Sequence, residues 1–164
     1  MALNQALLGE LKHESANTRK MLERVPTDKL SWKPHEKSYT LGRLATHIAA
    51  LPAWIGRTIN LDEFDLAKNQ IQPAIAGNTE QILKIFDDSL AANIPILESA
   101  SDDILNANWT FRRGDHIIFT MPRKVVLRNM AFNHTVHHRA QLSVYLRLLD
   151  VLVPGMYGPS ADEM

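Results

Sequence analysis

His134 and His138 stand four residues apart in the run Asn133-His134-Thr135-Val136-His137-His138. On an α-helix that spacing puts two imidazoles on one side about one turn apart, close enough to share a metal ion. His137 points about a sixth of a turn away from His134. Such a pair also arises by chance on surface helices, so its setting decides what it means. Both histidines share a stripe with Leu127, Met130, Leu142, Tyr145 and Leu149. A third, His47, lies beside another apolar stripe, three residues after Leu44 and four before Leu51. Inward imidazoles need polar partners. A divalent metal held by His47, His134 and His138 would satisfy all three, and hydrogen bonds to side chains or water are the alternative.

The segment from His134 to His138 resembles the HExxH of zinc proteases only superficially, because Thr135 stands where the glutamate base would be. Peptidase chemistry is therefore disfavoured. His13, His35 and His116 are isolated in polar or loop contexts and receive no role. Asn133, Arg139 and Gln141 flank the pair, with Gln141 nearest the inward face. Trp32, Trp54 and Tyr145 could wall a pocket, but aromatic residues of helical domains more often fill the core. The chain has no cysteine, which removes disulfides, thiolate ligands and a protein thiol nucleophile. Any thiol chemistry must borrow its thiol.

Eighteen basic residues balance eighteen acidic ones, so no net field draws the chain onto nucleic acid or an anionic membrane. The N-terminal segment mixes apolar and polar residues at helical spacing and lacks the apolar block of a signal peptide or a spanning helix. A cytoplasmic location is expected.

The elements that must position the histidines follow from periodicity. Leu3, Leu7, Leu8, Leu11, Thr18, Met21, Leu22 and Val25 predict a first helix that Pro26 stops. An irregular connection with Trp32, Pro34 and Tyr39 leads to Thr40, a suitable N-cap. Leu44, Ile48, Leu51, Ile55 and Ile59 then mark a second helix carrying His47. Pro52, inside it, predicts plain curvature in preference to a sharp kink. After a polar loop from about Asp62 to Gly77, Asn78 caps a third helix with Ile82, Ile85, Phe86, Leu90, Ile94 and Leu97 on one face. Pro95 should kink or end that helix. Two β-prone runs around Arg113-Gly114-Asp115 read as a hairpin or extended loop. Pro122 opens the last helix, and the Pro- and Gly-containing tail from Val151 lies across the surface. At 164 residues with 45% hydrophobic composition, the chain is one domain spanning residues 1–164. The expected fold class is all-α, a four-helix bundle with a short hairpin or extended loop before the last helix.

Three motifs in order carry a family resemblance: Trp32-Lys33-Pro34, then Thr40 to Ala49, then Asn133 to Leu142, with the closing Val153 to Glu163 in support. Together they resemble the DinB family over nearly the whole chain. The resemblance implies an up-down-down-up bundle, commonly a homodimer. It also implies a nickel, zinc or similar divalent site made by one histidine of the second helix and two of the last, positions matched by His47, His134 and His138. Ala140 replaces the glycine usual after the His-Arg step, a small residue that still permits close packing.

Three neutral histidines leave coordination positions open for water or substrate. The resemblance implies thiol-dependent transfer, in which a low-molecular-weight thiol attacks a small-molecule electrophile such as an epoxide or halide. Metal-dependent hydrolysis is the lower-ranked alternative, since no base is evident near the site. A third reading is non-catalytic, a stress-related metal-binding bundle.

Overall fold

The leucine stripe of the N-terminal segment forms α1 (Leu3–Leu22) in the computed structural model, which describes residues 2–69 and 75–164. Residues 70–74 of the expected polar loop lie outside that description. Leu7, Leu8, Leu11, Met21 and Leu22 are all buried, and each such side chain removed from water contributes about 1.5–3 kcal/mol.

Thr40 caps α2 (Leu41–Ala50) as its sequence position suggests, accepting from the Arg43 backbone N–H at 3.3 Å. The plain curvature expected at Pro52 is not what forms. The helix divides there, and α3 (Ala53–Asn60) starts anew. The interruption leaves the Gly56 N–H to Asn93 Oδ1, which accepts it at 2.7 Å. A Cβ on residue 56 would lie 2.6 Å from that oxygen, so only glycine lets the amide approach. Leu51 and Pro52 keep right-handed helical dihedrals, so the two helices join through one tightened turn.

Asn78 caps α4 (Thr79–Ser99) through the Gln81 N–H at 2.8 Å. Pro95 sits within the last turns of α4 without ending it. A short α5 (Asp102–Asn106) follows, and Asp102 Oδ1 accepts the Leu3 N–H at 2.9 Å, capping α1 from another element. The C-terminal helical region comprises α6 (Arg123–Leu127), a π-helical turn (Arg128–Phe132) and α7 (Asn133–Leu148). No helix among the described residues is long and apolar enough to cross a membrane.

The expected all-α four-helix bundle is overturned by a three-stranded mixed sheet, and the fold is mixed α/β. β1 (Glu63–Asp65) pairs parallel with β2 (Asn108–Arg113), which pairs antiparallel with β3 (His116–Pro122). The β2–β3 hairpin is the one its sequence suggests, with Gly114 at φ +57° in the first central turn position. β1 falls inside the stretch read as a polar loop. Its three residues are too few to show a period. Asp65, 4% exposed, ties β1 to the hairpin by accepting the Ala67 and Gly114 N–H groups, each at 2.9 Å. Arg123, also buried, donates to the carbonyls of Thr58, Asn108 and Leu61 and pairs with Asp62, fastening α3 to the sheet.

α4 packs on α1, α2 and α3, while α7 packs on α1 and α2. One core gathers Leu8, Ile55, Leu97, Trp109 and Phe132. The other gathers Leu22, Ile48, Phe86, Leu142 and Leu146, and it anchors the helices that carry the histidines. The tail lies back against α1, as expected: Met156 O accepts from Asn17 at 3.2 Å, and the Tyr157 hydroxyl meets Glu14 at 2.9 Å.

Candidate metal centre

α2 holds His47 between buried residues. Leu44 and Ile48 are almost wholly excluded from water, which fixes the rotation of the helix and leaves His47 half-buried at its edge toward α7. On α7, His134 and His138 project from consecutive turns toward it. The π-helical turn just before them is a feature common at functional sites. It lets the Asn133 N–H reach five residues back to Arg128 O, shifting the angular register at which α7 begins.

The structure brings the three predicted histidines together. His47 Nε2 lies 3.3 Å from His134 Nε2, and His134 Nε2 lies 2.9 Å from His138 Nε2. One ligand nitrogen from each residue falls within 4.8 Å of the others. Two nitrogens bound at about 2.05 Å to one ion stand about 2.9 Å apart at a right angle and about 3.3 Å apart at a tetrahedral one. The observed spacings match that range.

The protonation pattern sharpens the fit. His138 Nδ1 lies 2.7 Å from Gln141 Oε1, an acceptor, so Nδ1 carries the proton and Nε2 keeps its lone pair. The Gln141 amide nitrogen meets His137 Nε2 at 3.1 Å, consistent with that orientation of the amide. His134 Nε2 is turned toward both of the other rings. The His138 Nε2 lone pair then faces His134 Nε2 at 2.9 Å, an arrangement that a shared cation would stabilise. The residues fit a divalent metal.

Burial favours the neutral form of all three rings. It lowers the His47 pKa to about 4, with help from the neighbouring His138, His134 and Arg43 charges. Burial and then His138 lower His134, against the Met130 hydrogen bond, which raises it. Burial also lowers His138, against the Gln141 hydrogen bond. Neutral imidazole is the ligand form.

The site opens on one side. A cleft of about 260 Å³ is lined by Ser38, Tyr39, Leu44, His138, Gln141 and Tyr145, with no carboxylate among the described residues that line it. Tyr145 therefore walls the cleft, with Trp32 edge-on against it at 5.7 Å between ring centroids, whereas Trp54 is core. Arg139 takes no part in the site. It is buried between α7 and α1, paired with Glu14 at 2.6 Å and bonded to Thr18 and Tyr157. Asn133 and His137 are exposed, as are His13, His35 and His116. Ser38 and Arg43 were not singled out from sequence, and Tyr39 was read only as part of the connection before Thr40, although all three frame that cap just ahead of His47.

The DinB family model matches residues 1–164. "Uncharacterized protein YrdA" of Bacillus subtilis (strain 168) is 28% identical over 150 residues, covering 92% of this chain and 85% of that protein. A DinB-like protein of Bacillus cereus ATCC 10987 has a similar structure, with TM-score 0.74 and 24% identity over 93% of this chain and 97% of its own. A Bacillus subtilis DinB-like protein, YjoA, superposes with TM-score 0.70 and 18% identity, covering 97% of this chain and 99% of its own. These two likenesses establish a shared fold.

Proposed function

The chain belongs to the DinB family, and we propose that it is a metal-dependent transferase that uses a low-molecular-weight thiol as nucleophile. The convergence of His47, His134 and His138 Nε2 atoms beside an open cleft carries this reading. In it the three histidines hold a divalent ion such as nickel or zinc, which when bound favours the thiolate form of a thiol at its open position.

The chain's own residues set the rest. Gln141 fixes the His138 ring so that Nε2 faces inward. Tyr39 and Tyr145 wall the space in which an electrophile lies, and Tyr145 is itself held by a hydrogen bond from its hydroxyl to Tyr39 O at 3.3 Å. A carbon–sulfur bond forms as a carbon–halogen bond breaks and the halide leaves with its electron pair. With an epoxide, the ring C–O bond breaks and its oxygen takes a proton from water. The thiol proton passes to solvent. Because no carboxylate among the described residues lines the cleft as a base, hydrolysis ranks below thiol transfer.

The thiol cosubstrate supports a cytoplasmic setting, where such thiols stay reduced. Val144 and Leu148, one turn apart on α7 and exposed at 57% and 58%, offer an apolar face for a homodimer. The direct test incubates nickel- or zinc-loaded protein with cysteine or glutathione and monobromobimane, following thioether formation. Metal-dependent acceleration that His138→Ala abolishes is expected. A rate equal to the uncatalysed background with both thiols refutes the reading.

A further inference from the structure

Resting on the thiol reading above, we propose that Arg43 anchors a carboxylate in the cleft, so that the molecule entering beside His138 is an anion. Arg43 and His47 are four residues apart on α2 and share one side of the helix. The guanidinium carbon lies 4.0 Å from the centroid of the Tyr39 ring, and Tyr39 walls the cleft. The cation thus lies against one wall residue of the cavity that exposes His138, next in sequence to Leu44, which also lines it. Its charge also reaches His47, where it helps to disfavour protonation.

A guanidinium carries five N–H donors, more than its contact with one aromatic ring can occupy. Among the described residues, no carboxylate lies within ion-pairing distance of Arg43 and no acceptor engages its side-chain nitrogens. The nearby polar groups, Ser38 and Gln141, are uncharged. Among the described residues, no anionic side chain lines the cleft. Arg43 thus offers a planar fork, the geometry suited to bidentate carboxylate recognition. The ligand class is a small carboxylate-bearing thiol, with its aliphatic part against Tyr39, Leu44 and Tyr145.

The test compares 3-mercaptopropionate and 6-mercaptohexanoate with their uncharged amides on cobalt(II)-loaded protein. Calorimetry reads affinity and the sulfur-to-cobalt absorption band reads thiolate coordination, with cobalt content and ellipticity as controls for Arg43→Gln. A charge-assisted hydrogen bond predicts that the acid binds roughly tenfold tighter than its amide for at least one chain length. Arg43→Gln should erase that preference while retaining cobalt. Equal affinity of acids and amides, with the band present, overturns the Arg43 assignment and leaves the thiol reading standing. A preference for the acid without the band upholds the anchor and refutes thiol coordination. No binding of either overturns both.

Discussion

Acidification of the metal-free protein should destabilise it through His47 before its surface carboxylates titrate. The unfolded imidazole has its ordinary pKa of 6.5, whereas burial and neighbouring cations hold the folded one at about 4. Between those values the unfolded state binds the extra proton, so stability falls as pH drops through that window and is fully retained above it. The shift corresponds to at most about 3.4 kcal/mol. His47 is only half-buried, and the contributions from His134 and His138 vanish while those rings are neutral, so a loss of about 1–2 kcal/mol is expected. Urea denaturation in the presence of chelator at pH 7.5, 6.5, 5.5 and 4.5 measures it, with His47→Gln as the non-titrating reference. The wild-type curve should fall more steeply than the variant's. Parallel curves would refute the burial of a neutral His47.

Gln141→Leu should leave the fold intact but free the His138 ring, weakening metal affinity by about 10–100-fold in competition with a chromophoric chelator. An unchanged affinity would mean that the 2.7 Å contact does not orient the ligand. Arg139→Met should strand the partly buried Glu14 carboxylate and cost at most about 3–5 kcal/mol in urea denaturation. Adding Glu14→Met should restore most of it, and no restoration would show that Arg139 acts through something other than this pair.

Much of the site was legible because helical periodicity and ligand spacing are local. Leu44, Ile48 and Leu51 place His47, and Met130, Leu142 and Tyr145 place His134 and His138, so three residues from two helices converge without knowledge of the sheet. What stayed hidden depends on partners remote in sequence. β1 exists because Glu63, Phe64 and Asp65 meet Thr110, Phe111 and Arg112, and because Asp65 accepts from Gly114. The interruption at Pro52 follows from its missing N–H, but the Asn93 oxygen that receives the Gly56 amide comes from the remote α4. The π-helical turn is a change of hydrogen-bond register, and Arg128 to Phe132 carry no compositional sign of it. The cleft wall joins Tyr39, from an aperiodic connection, to Tyr145 on the last helix, a pairing that spacing rules do not address.

Metal content of untagged protein by plasma mass spectrometry, beside His47→Ala and His134→Ala purified identically, addresses the metal centre itself. Near-stoichiometric divalent metal in the wild type, lost in both variants with their ellipticity preserved, is the predicted result. Wild-type protein that arrives metal-free and cannot be reloaded, or variants that keep their metal, would contradict a site built from these three histidines.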